Sequence, residues 1–260
     1  MSRTQWFYAA LLCWAFSAQA EDKQKLLIYT EDFPPYNFVE DDKVVGISID
    51  IVKLLCQATQ VKCEFILQPW SRAYTNTLNK TNAGLVTISR HAKRESQFQW
   101  VGPLVSSQAY LYRLTERNDI NIHSYQDALK YTVGIPRNDV YETILLSKGF
   151  IKGVNLLDFS YKQEMNELFF KGKLDLIVGS AFTQPYQLLA SKQNSAAVMT
   201  PALEFEVPEL QGNHLAFNLK VDPKLVAAMQ STLNSLVKQG LIQPIIAQYI
   251  ALGEHRLDAH

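Results

Sequence analysis

Apolar strand-like runs alternate with amphipathic helical patterns along this 260-residue chain, and this alternation restricts the fold more than any other feature. In the first half, strand patterns at residues 26–30 (LLIYT), 63–67 (CEFIL) and 85–88 (LVTI) are separated by two helical patterns. Strands connected in this order run parallel, with right-handed crossovers between them. The sequence therefore predicts an α/β fold with a parallel-type sheet.

A second unit of the same kind follows. Strand patterns at residues 131–135 (YTVGI) and 174–178 (LDLIV) alternate with helical patterns at residues 140–147 and 162–170. The length of the chain, nearly half of it hydrophobic, is enough for one large domain or two small ones. Because the second unit repeats the rhythm of the first, we predict two lobes.

After the second unit the chain returns to a strand pattern, which places the connection between the lobes. We predict a hinge made by the strands at residues 110–114 and 215–218, with a ligand-binding cleft between the lobes. Lobe 1 would then comprise residues 21–114 and 213–260, and lobe 2 would comprise residues 115–212.

Residues 1–20 have the pattern of a secretory signal peptide. Arg3 precedes an apolar run at residues 6–16, and the segment ends in the small-residue sequence Ser-Ala-Gln-Ala before Glu21. We expect cleavage after Ala20 and a periplasmic mature protein. Its 24 basic and 25 acidic side chains give a net charge of −1, which favours neither nucleic acid nor a membrane surface as a partner.

Cleavage at that position removes Cys13 and leaves Cys56 and Cys63. An even cysteine count in an oxidising compartment favours a disulfide. The alternative is two separate buried thiols.

The stretch that begins at residue 83 contains the strongest candidate for an anion site. Its strand ends in the hydroxyls of Thr87 and Ser89, and Arg90 and Arg94 follow at once. A guanidinium group pairs with a carboxylate through two parallel hydrogen bonds. The alternative is a solvated surface cluster, so this stretch gains weight only together with the rest of the chain.

The whole set of motifs resembles the periplasmic solute-binding proteins, family 3, which serve polar amino-acid ABC transporters. The resemblance runs from about residue 26 to residue 249 and is carried by YTEDFPPYNF, the cysteine pair, TISRHAKRESQFQWVGP, GKLDLIVG and LIQPIIAQY. It implies a two-lobed periplasmic binding protein fold of type II that closes on a small, polar, carboxylated, amino-acid-like solute. In the histidine- and lysine/arginine/ornithine-binding members, a cysteine pair with this spacing forms a disulfide.

The resemblance also implies roles for residues of the first lobe. Trp70 corresponds to the residue that stacks on the ligand side chain, although a core indole is the alternative. Thr87 and Ser89 correspond to two ligand-binding hydroxyl positions. Arg94 corresponds to the arginine that binds the ligand carboxylate, and Arg90 competes for that role.

The loop after the first strand contains Asp32 and Tyr36, stiffened by two prolines. In the family this loop covers the ligand from the first lobe, and a plain rigid turn is the alternative.

The second lobe departs from the family pattern at two places. Arg137 and Asn138 stand where relatives more often have a Gly-Ser/Thr stretch that binds carboxylate oxygens. Ser180 stands where the family usually has an aspartate for the α-amino group. A hydroxyl offsets the desolvation of an ammonium less well than a carboxylate does, so either the ligand lacks that amine or another acid replaces the aspartate. The candidate acids are Glu31, Asp32, Asp139 and Glu164.

Two other functions use the same fold. A cyclohexadienyl dehydratase-like enzyme would need a general acid or base in the cleft, which Glu31, Asp32 or Glu164 could supply. The protein could also deliver its ligand to a receptor instead of an ABC permease. We predict a monomer that binds a small molecule, without catalytic residues, cofactor, metal or nucleic acid, because neither metal-ligand spacing nor a nucleophile motif is present.

Overall fold

The computed structural model describes residues 25–106, 108–193, 198–205 and 212–258, so the predicted signal peptide lies outside the described residues. None of the helices in these ranges combines the length and the apolar character that a membrane-spanning segment needs. The strands and helices follow in chain order: β1 (Lys25–Thr30), β2 (Phe38–Glu40), β3 (Lys43–Val45), α1 (Ile47–Ala58), β4 (Lys62–Leu67), α2 (Trp70–Asn79), β5 (Ala83–Ser89), α3 (Ala92–Glu95), β6 (Phe98–Val105), β7 (Ala109–Leu114), α4 (Tyr125–Ala128), β8 (Val133–Pro136), α5 (Val140–Ser147), β9 (Leu156–Phe159), α6 (Lys162–Phe170), β10 (Leu176–Ser180), α7 (Gln184–Ala190), β11 (Met199–Glu204), β12 (Asn213–Asn218), α8 (Pro223–Lys238) and α9 (Ile242–Asp258).

Two mixed sheets form the centres of two lobes. The first sheet has the strand order β4-β1-β5-β12-β6, and the second has the order β11-β7-β10-β8-β9. In each sheet three strands are parallel, as the alternation of strands and helices predicts. The other two strands of each sheet are antiparallel to their neighbours. The two-lobed α/β fold is therefore confirmed, with sheets that are only partly parallel.

The predicted position of the hinge needs a correction. The strand expected to connect the lobes at residues 110–114 is β7, and it lies in the second sheet, between β10 and β11. Its apolar side chains Leu111 and Leu114 are buried in the core of the second lobe. The chain therefore crosses between the end of β6 at Val105 and the start of β7 at Ala109, before the predicted boundary. It returns between β11 and β12, through a segment that is only partly among the described residues.

The first helix illustrates how the sequence builds the lobe. Ile47, Ile51 and Leu55 recur at helical spacing and are fully buried in the first core. Gly46 precedes the helix with φ of +130°, and a Cβ atom there would lie 2.3 Å from the carbonyl oxygen of Tyr36. Only glycine fits this conformation and this close approach, so Gly46 fixes where the helix begins relative to the first loop.

The C-terminal helix α9 contacts both lobes. Tyr249 belongs to the core of the first lobe, whereas Leu257 packs into the core of the second. The hydroxyl of Tyr186, on α7, donates a hydrogen bond to the carbonyl oxygen of Tyr249 at 2.6 Å. The lobes thus contact each other through α7 and α9 as well as through the two chain crossings.

The predicted disulfide joins Cys56, near the end of α1, to Cys63, near the start of β4. This start of β4 is the end opposite to Trp70, which follows the strand and lines the cleft described below. The bridge therefore lies away from the predicted binding residues.

Replacing both cysteines by alanine should lower the free energy of unfolding by about 2.5 kcal/mol, because the bridge closes a short loop and restricts the unfolded chain. For a protein of this size, the melting temperature should fall by about 5–10 °C. Thermal unfolding monitored by circular dichroism will measure the change, and each single alanine variant should lose about as much as the double variant. Equal melting temperatures for the double variant and the wild type would contradict the prediction.

Candidate functional site

A cavity of about 220 Å³ lies between the lobes, where the carboxyl ends of several strands from both sheets approach each other. Loops at these ends are the usual place for ligands in α/β sheets. The residues that line it are Glu31, Asp32, Phe33, Pro34, Tyr36, Trp70, Thr87, Ser89, Arg94, Val105, Ala109, Pro136, Asp139, Val140, Tyr141, Lys162, Gln163, Met165, Asn166, Val178, Gly179, Ser180, Thr183, Tyr186, Gln187, Ala190, Gly212 and Asn213. Seven of the nine predicted binding residues are in this set; Arg137 and Asn138 are not.

Arg94 lies in the first-lobe wall, on the short helix α3. Its guanidinium carbon is 5.4 Å from the ring centre of Trp70 and 5.3 Å from that of Tyr74, so the charged group makes cation–π contacts with both rings. It donates hydrogen bonds to the carbonyl oxygens of Ser89, at 3.3 Å, and Asn138, at 3.5 Å, and it also has a side-chain hydrogen bond with Tyr74. Burial lowers the pKa of the Arg94 guanidinium. No carboxylate of the described residues is within ion-pair distance of it.

Arg90 is excluded from the cavity. Its guanidinium forms two hydrogen bonds to the Glu95 carboxylate, at 2.8 and 2.6 Å, on the exposed surface. Of the two arginines in the competing interpretations, Arg94 is therefore the one that reaches the cleft.

Thr87 adopts a strained backbone conformation at the edge of the cavity, with φ of +62°. β-branched residues rarely adopt positive φ, and such strain concentrates at ligand sites. The pairing of β5 with β12 shifts by one residue at this position, which marks a bulge. The Thr87 hydroxyl donates a hydrogen bond to Oδ1 of the fully buried Asn37, whose Nδ2 donates to the carbonyl oxygen of Glu31 at 2.6 Å.

The loop predicted to cover the ligand, residues 31–37, forms one side of the cavity. Tyr36 is buried, whereas Asp32 is exposed at the rim. Trp70 lines the cavity and also packs against the core cluster that contains Tyr29 and Leu85, so its position is compatible with both interpretations that the sequence left open.

The second lobe contributes charged groups to the cavity, and only some of them were predicted from the sequence. Lys162, the first residue of α6, pairs with Glu31 across the cleft at 3.1 Å, and its Nζ lies 3.5 Å from the ring centre of Phe33. Asp139 caps α5 by accepting a hydrogen bond from the backbone N–H of Tyr141 at 3.3 Å. Burial raises the pKa values of both the Glu31 and the Asp139 carboxyls. The cleft thus holds acids whose charged forms are poorly solvated.

The structure does not bring Arg137 and Asn138 into the cavity. Arg137 turns away to pair with Asp158 on β9 at 2.7 Å. Asn138 instead contacts the other lobe at the rim, where its Nδ2 donates to Oγ of Ser71 at 3.3 Å. The prediction that these two side chains bind the carboxylate is therefore not supported by their positions. The strand pattern locates the loop, but the ion pair on β9 that redirects Arg137 forms only in the fold.

Ser180 lines the cavity, but its hydrogen bonds are local. Its backbone N–H donates to Oγ1 of Thr183 at 2.9 Å, and its Oγ accepts from the Thr183 N–H at 3.3 Å. Of the acids that could replace the family aspartate, Glu31, Asp32 and Asp139 line the cavity, whereas Glu164 is exposed on the surface and does not.

Sequence reasoning missed several lining residues, including Lys162, Tyr141, Asn166 and Gln187. Burial raises the pKa of Tyr141 well above its ordinary value. The available signal was the helical spacing of Lys162 and Asn166, which places both on one face of α6. In the described ranges, no group of three or more histidine, cysteine, aspartate or glutamate residues is arranged to hold a metal ion.

The model of the bacterial extracellular solute-binding proteins, family 3, matches residues 26–252, most of the chain. The chain belongs to this family. The octopine-binding periplasmic protein of Rhizobium meliloti is 22% identical to this solute-binding protein over 198 residues. The aligned region covers 66% of each chain, just under two thirds of the relative's length.

Solved structures with low sequence identity share the fold. A histidine kinase sensor domain with similarity to periplasmic binding proteins matches with a TM-score of 0.74 at 19% identity, over 87% of this chain and 96% of that chain. A periplasmic binding protein of Salmonella typhimurium with high arginine specificity matches with a TM-score of 0.71 at 17% identity, over 87% of this chain and 99% of that chain. An amino acid ABC transporter substrate-binding protein of Streptococcus pneumoniae bound to L-arginine matches with a TM-score of 0.73 at 17% identity, over 88% of this chain and 96% of that chain.

Replacing Asp139 by asparagine should stabilise the ligand-free protein increasingly as the pH rises. Asparagine keeps the capping oxygen but has no proton to lose. Because burial raises the folded-state pKa of Asp139, the folded wild type retains its proton better than the unfolded chain does above the ordinary Asp pKa of about 3.9. The wild type therefore loses stability relative to Asp139→Asn as the pH rises through the folded-state pKa.

Urea unfolding of both proteins between pH 4 and pH 7 will measure this difference. Asp158→Asn is a matched control of opposite sign, since the hydrogen bond from Arg137 lowers the pKa of Asp158. That variant should be less stable than the wild type by a nearly constant amount over this range, because the lowered pKa of Asp158 confines its pH-dependent change in stability to values near and below the ordinary Asp pKa of about 3.9. A difference for Asp139→Asn that stays constant or falls with pH would contradict the prediction.

Proposed function

We propose that this protein is exported to the periplasm and binds a small, carboxylated, amino-acid-like solute by closure of its two lobes. It performs no chemistry on the solute and delivers it to an ABC transporter or a receptor. The family assignment and the two-lobed fold support the general role. The nature of the ligand is inferred from the cavity.

The environment of Arg94 is the main support for a carboxylated ligand. The guanidinium is partly buried beside two aromatic rings, its hydrogen bonds go to two backbone carbonyls and to Tyr74, and no described carboxylate is within ion-pair distance. A hydrogen bond to a charged group contributes about 1.5–3 kcal/mol. A ligand carboxylate would therefore gain a strong, directional interaction here.

The acids of the cleft support a ligand that also carries a cationic nitrogen. Glu31, Asp32 and Asp139 line the cavity together with two cations, Arg94 and Lys162, so the charged lining groups sum to one net negative charge. Burial raises the pKa values of all three acids, and a neighbouring ammonium would favour their charged forms. We infer that these acids take the role of the aspartate that the family usually has at the position of Ser180.

An enzyme would need such acids as its general acid or base, so the dehydratase alternative depends on the other interactions that these acids make. Glu31 pairs with Lys162 across the cleft, Asp139 caps α5, and Asp32 is exposed at the rim. Each acid thus has a structural or solvated environment that fits binding, and Glu164 lies outside the cavity. Binding without catalysis is therefore the function that we propose.

Two of the structural neighbours suggest two routes of delivery. One is a substrate-binding protein of an amino acid ABC transporter, and the other is a histidine kinase sensor domain. Both use the same two-lobed fold, so the fold is compatible with either route. We place a permease first because the relatives that bind octopine and arginine are described as periplasmic binding proteins.

Replacing Arg94 by alanine should weaken every ligand by about 10- to 150-fold, because the hydrogen bonds from the guanidinium to the carboxylate are lost. Isothermal titration calorimetry with amino acids, their 2-oxo and 2-hydroxy analogues and their neutral amides will measure the change. Arg90→Ala is the matched control, since Arg90 pairs with Glu95 on the surface. Tight binding of an uncharged compound that Arg94→Ala leaves unaffected would overturn the assignment.

Ligand should also make the protein more compact, because the closed arrangement buries the ligand between the lobes. Small-angle X-ray scattering with and without a saturating ligand will test this, and an unchanged radius of gyration would contradict closure.

Lys162→Met removes the ion pair with Glu31 across the cleft and should weaken binding by about fivefold. Lys171→Met, which removes an ion pair within the second lobe, should leave binding unchanged.

A further inference from the structure

The helix that carries Arg94 contributes little to holding its guanidinium in place. Helix α3 is four residues long, and none of its residues is buried. An arginine side chain loses much rotamer freedom when it is ordered, and a binding group is effective when its orientation is set before the ligand arrives. The guanidinium therefore depends on contacts from neighbouring elements.

Tyr74, on α2, supplies two such contacts. The guanidinium carbon of Arg94 is 5.3 Å from the centre of the Tyr74 ring, and the two side chains are also joined by a hydrogen bond. Tyr74 is not among the residues that line the cavity, whereas Trp70, the other aromatic neighbour of Arg94, is. An effect of Tyr74 on ligand binding would therefore have to act through another residue.

The ring of Tyr74 is itself held by its surroundings. It meets the ring of the buried Phe98 edge to face, with 5.5 Å between the ring centres and 83° between the ring planes. It also lies in a tilted arrangement 6.0 Å from the ring of Trp70 and packs against a core cluster of the first lobe. Aromatic pairs prefer such geometries over face-to-face stacking. Arg94 thus contacts a ring that packing has already fixed.

The direction of the hydrogen bonds around the Tyr74 hydroxyl suits a guanidinium. Nε2 of Gln97 donates to the carbonyl oxygen of Lys93 at 2.7 Å, so the other end of this amide is the acceptor Oε1. The Tyr74 hydroxyl donates its hydrogen to that Oε1 at 2.6 Å. Its oxygen is therefore left as an acceptor, and the guanidinium of Arg94 can only donate.

The hydrogen bonds of Arg94 leave a specific number of donors for a ligand. A guanidinium has five N–H groups. Among the described residues, its acceptors are the carbonyl oxygens of Ser89 and Asn138 and the hydroxyl oxygen of Tyr74. With one N–H used by each acceptor, two donors remain, and a carboxylate in a bidentate pair takes two.

We propose that Tyr74 is a positioning residue for ligand binding: its ring and its hydroxyl hold the Arg94 guanidinium in the orientation that receives a carboxylate. The proposal rests on the function proposed above, in which Arg94 binds the carboxylate of the ligand. Tyr74 itself does not contact the ligand.

Nuclear magnetic resonance of the ligand-free protein tests the positioning directly. The order parameter of the Arg94 Nε–H bond follows from nitrogen-15 relaxation, and its resonance is the one that Arg94→Ala removes. The wild-type value should lie near the value of about 0.85 found for rigid N–H groups, and Tyr74→Leu should lower it below about 0.6. Equal values in the wild type and Tyr74→Leu would overturn the proposal.

Tyr74→Phe keeps the ring and removes only the hydroxyl. Its Arg94 order parameter should lie between those of the wild type and Tyr74→Leu, and a value equal to that of the wild type would overturn the role of the hydroxyl. Tyr131→Phe is the matched control, because it removes a hydroxyl that donates to the carbonyl oxygen of Asp119 at 3.2 Å, in the second lobe. Melting temperatures will show that each variant is folded.

Calorimetry with the panel of amino acids, 2-oxo acids and 2-hydroxy acids connects the positioning to binding. Tyr74→Phe should weaken each carboxylate that the wild type binds by about threefold to tenfold, and Tyr131→Phe should leave it unchanged. In the Arg94→Ala background, Tyr74→Phe should have no further effect, because it acts through Arg94. An equal loss in both backgrounds would show a merely structural role and overturn the proposal.

The failures of the two proposals are distinguishable. If Arg94→Ala loses binding while the Tyr74 variants change neither the order parameter nor the affinity, the positioning role is wrong and the proposed function stands. If binding survives in Arg94→Ala, the proposed function is wrong. The positioning proposal, which rests on it, is then overturned as well.

Discussion

The hydrogen bond between Thr87 and Asn37 connects two parts of the first lobe on which the whole site depends. Thr87 lies at a bulge in the central strand β5 with a positive φ, a conformation that costs about 1–3 kcal/mol. Asn37 is fully buried and also holds the carbonyl oxygen of Glu31. This pair therefore fixes the first loop relative to the strand that leads to Ser89 and Arg94. Without it, the acids and the guanidinium would sit on independent loops.

The charged groups of the cleft link binding to closure. Bringing the lobes together places Lys162 beside Glu31 and shields both from solvent, which strengthens their attraction and also raises the cost of every unpaired charge nearby. Under the proposed function, a ligand that supplies a carboxylate for Arg94 and a cation for the acids would offset this cost. The lobes also contact each other through α7 and α9, by the hydrogen bond from Tyr186 to Tyr249.

Much of the site could be predicted because its residues follow strand ends, and strand ends are visible in the sequence. Trp70, Thr87 and Ser89 reach the cavity for this reason. The pattern could not decide between Arg90 and Arg94, since that choice depends on Glu95 pairing with Arg90 in the folded chain. It also failed at Arg137, which Asp158 on the neighbouring strand draws away from the cleft.

The sequence by itself determined the two α/β units and several helix bounds that agree with the structure to the residue, such as Val140–Ser147, and it favoured the pairing of Cys56 with Cys63. These features follow from local periodicity and from an even cysteine count. Only the tertiary structure decided that β7 belongs to the second sheet, because strand pairing depends on residues far apart in the chain. It also decided which polar side chains meet in the cleft. Asn166 and Gln187 look like ordinary helix residues in the sequence, and only the packing of α6 and α7 brings both of them to the lining of the cavity.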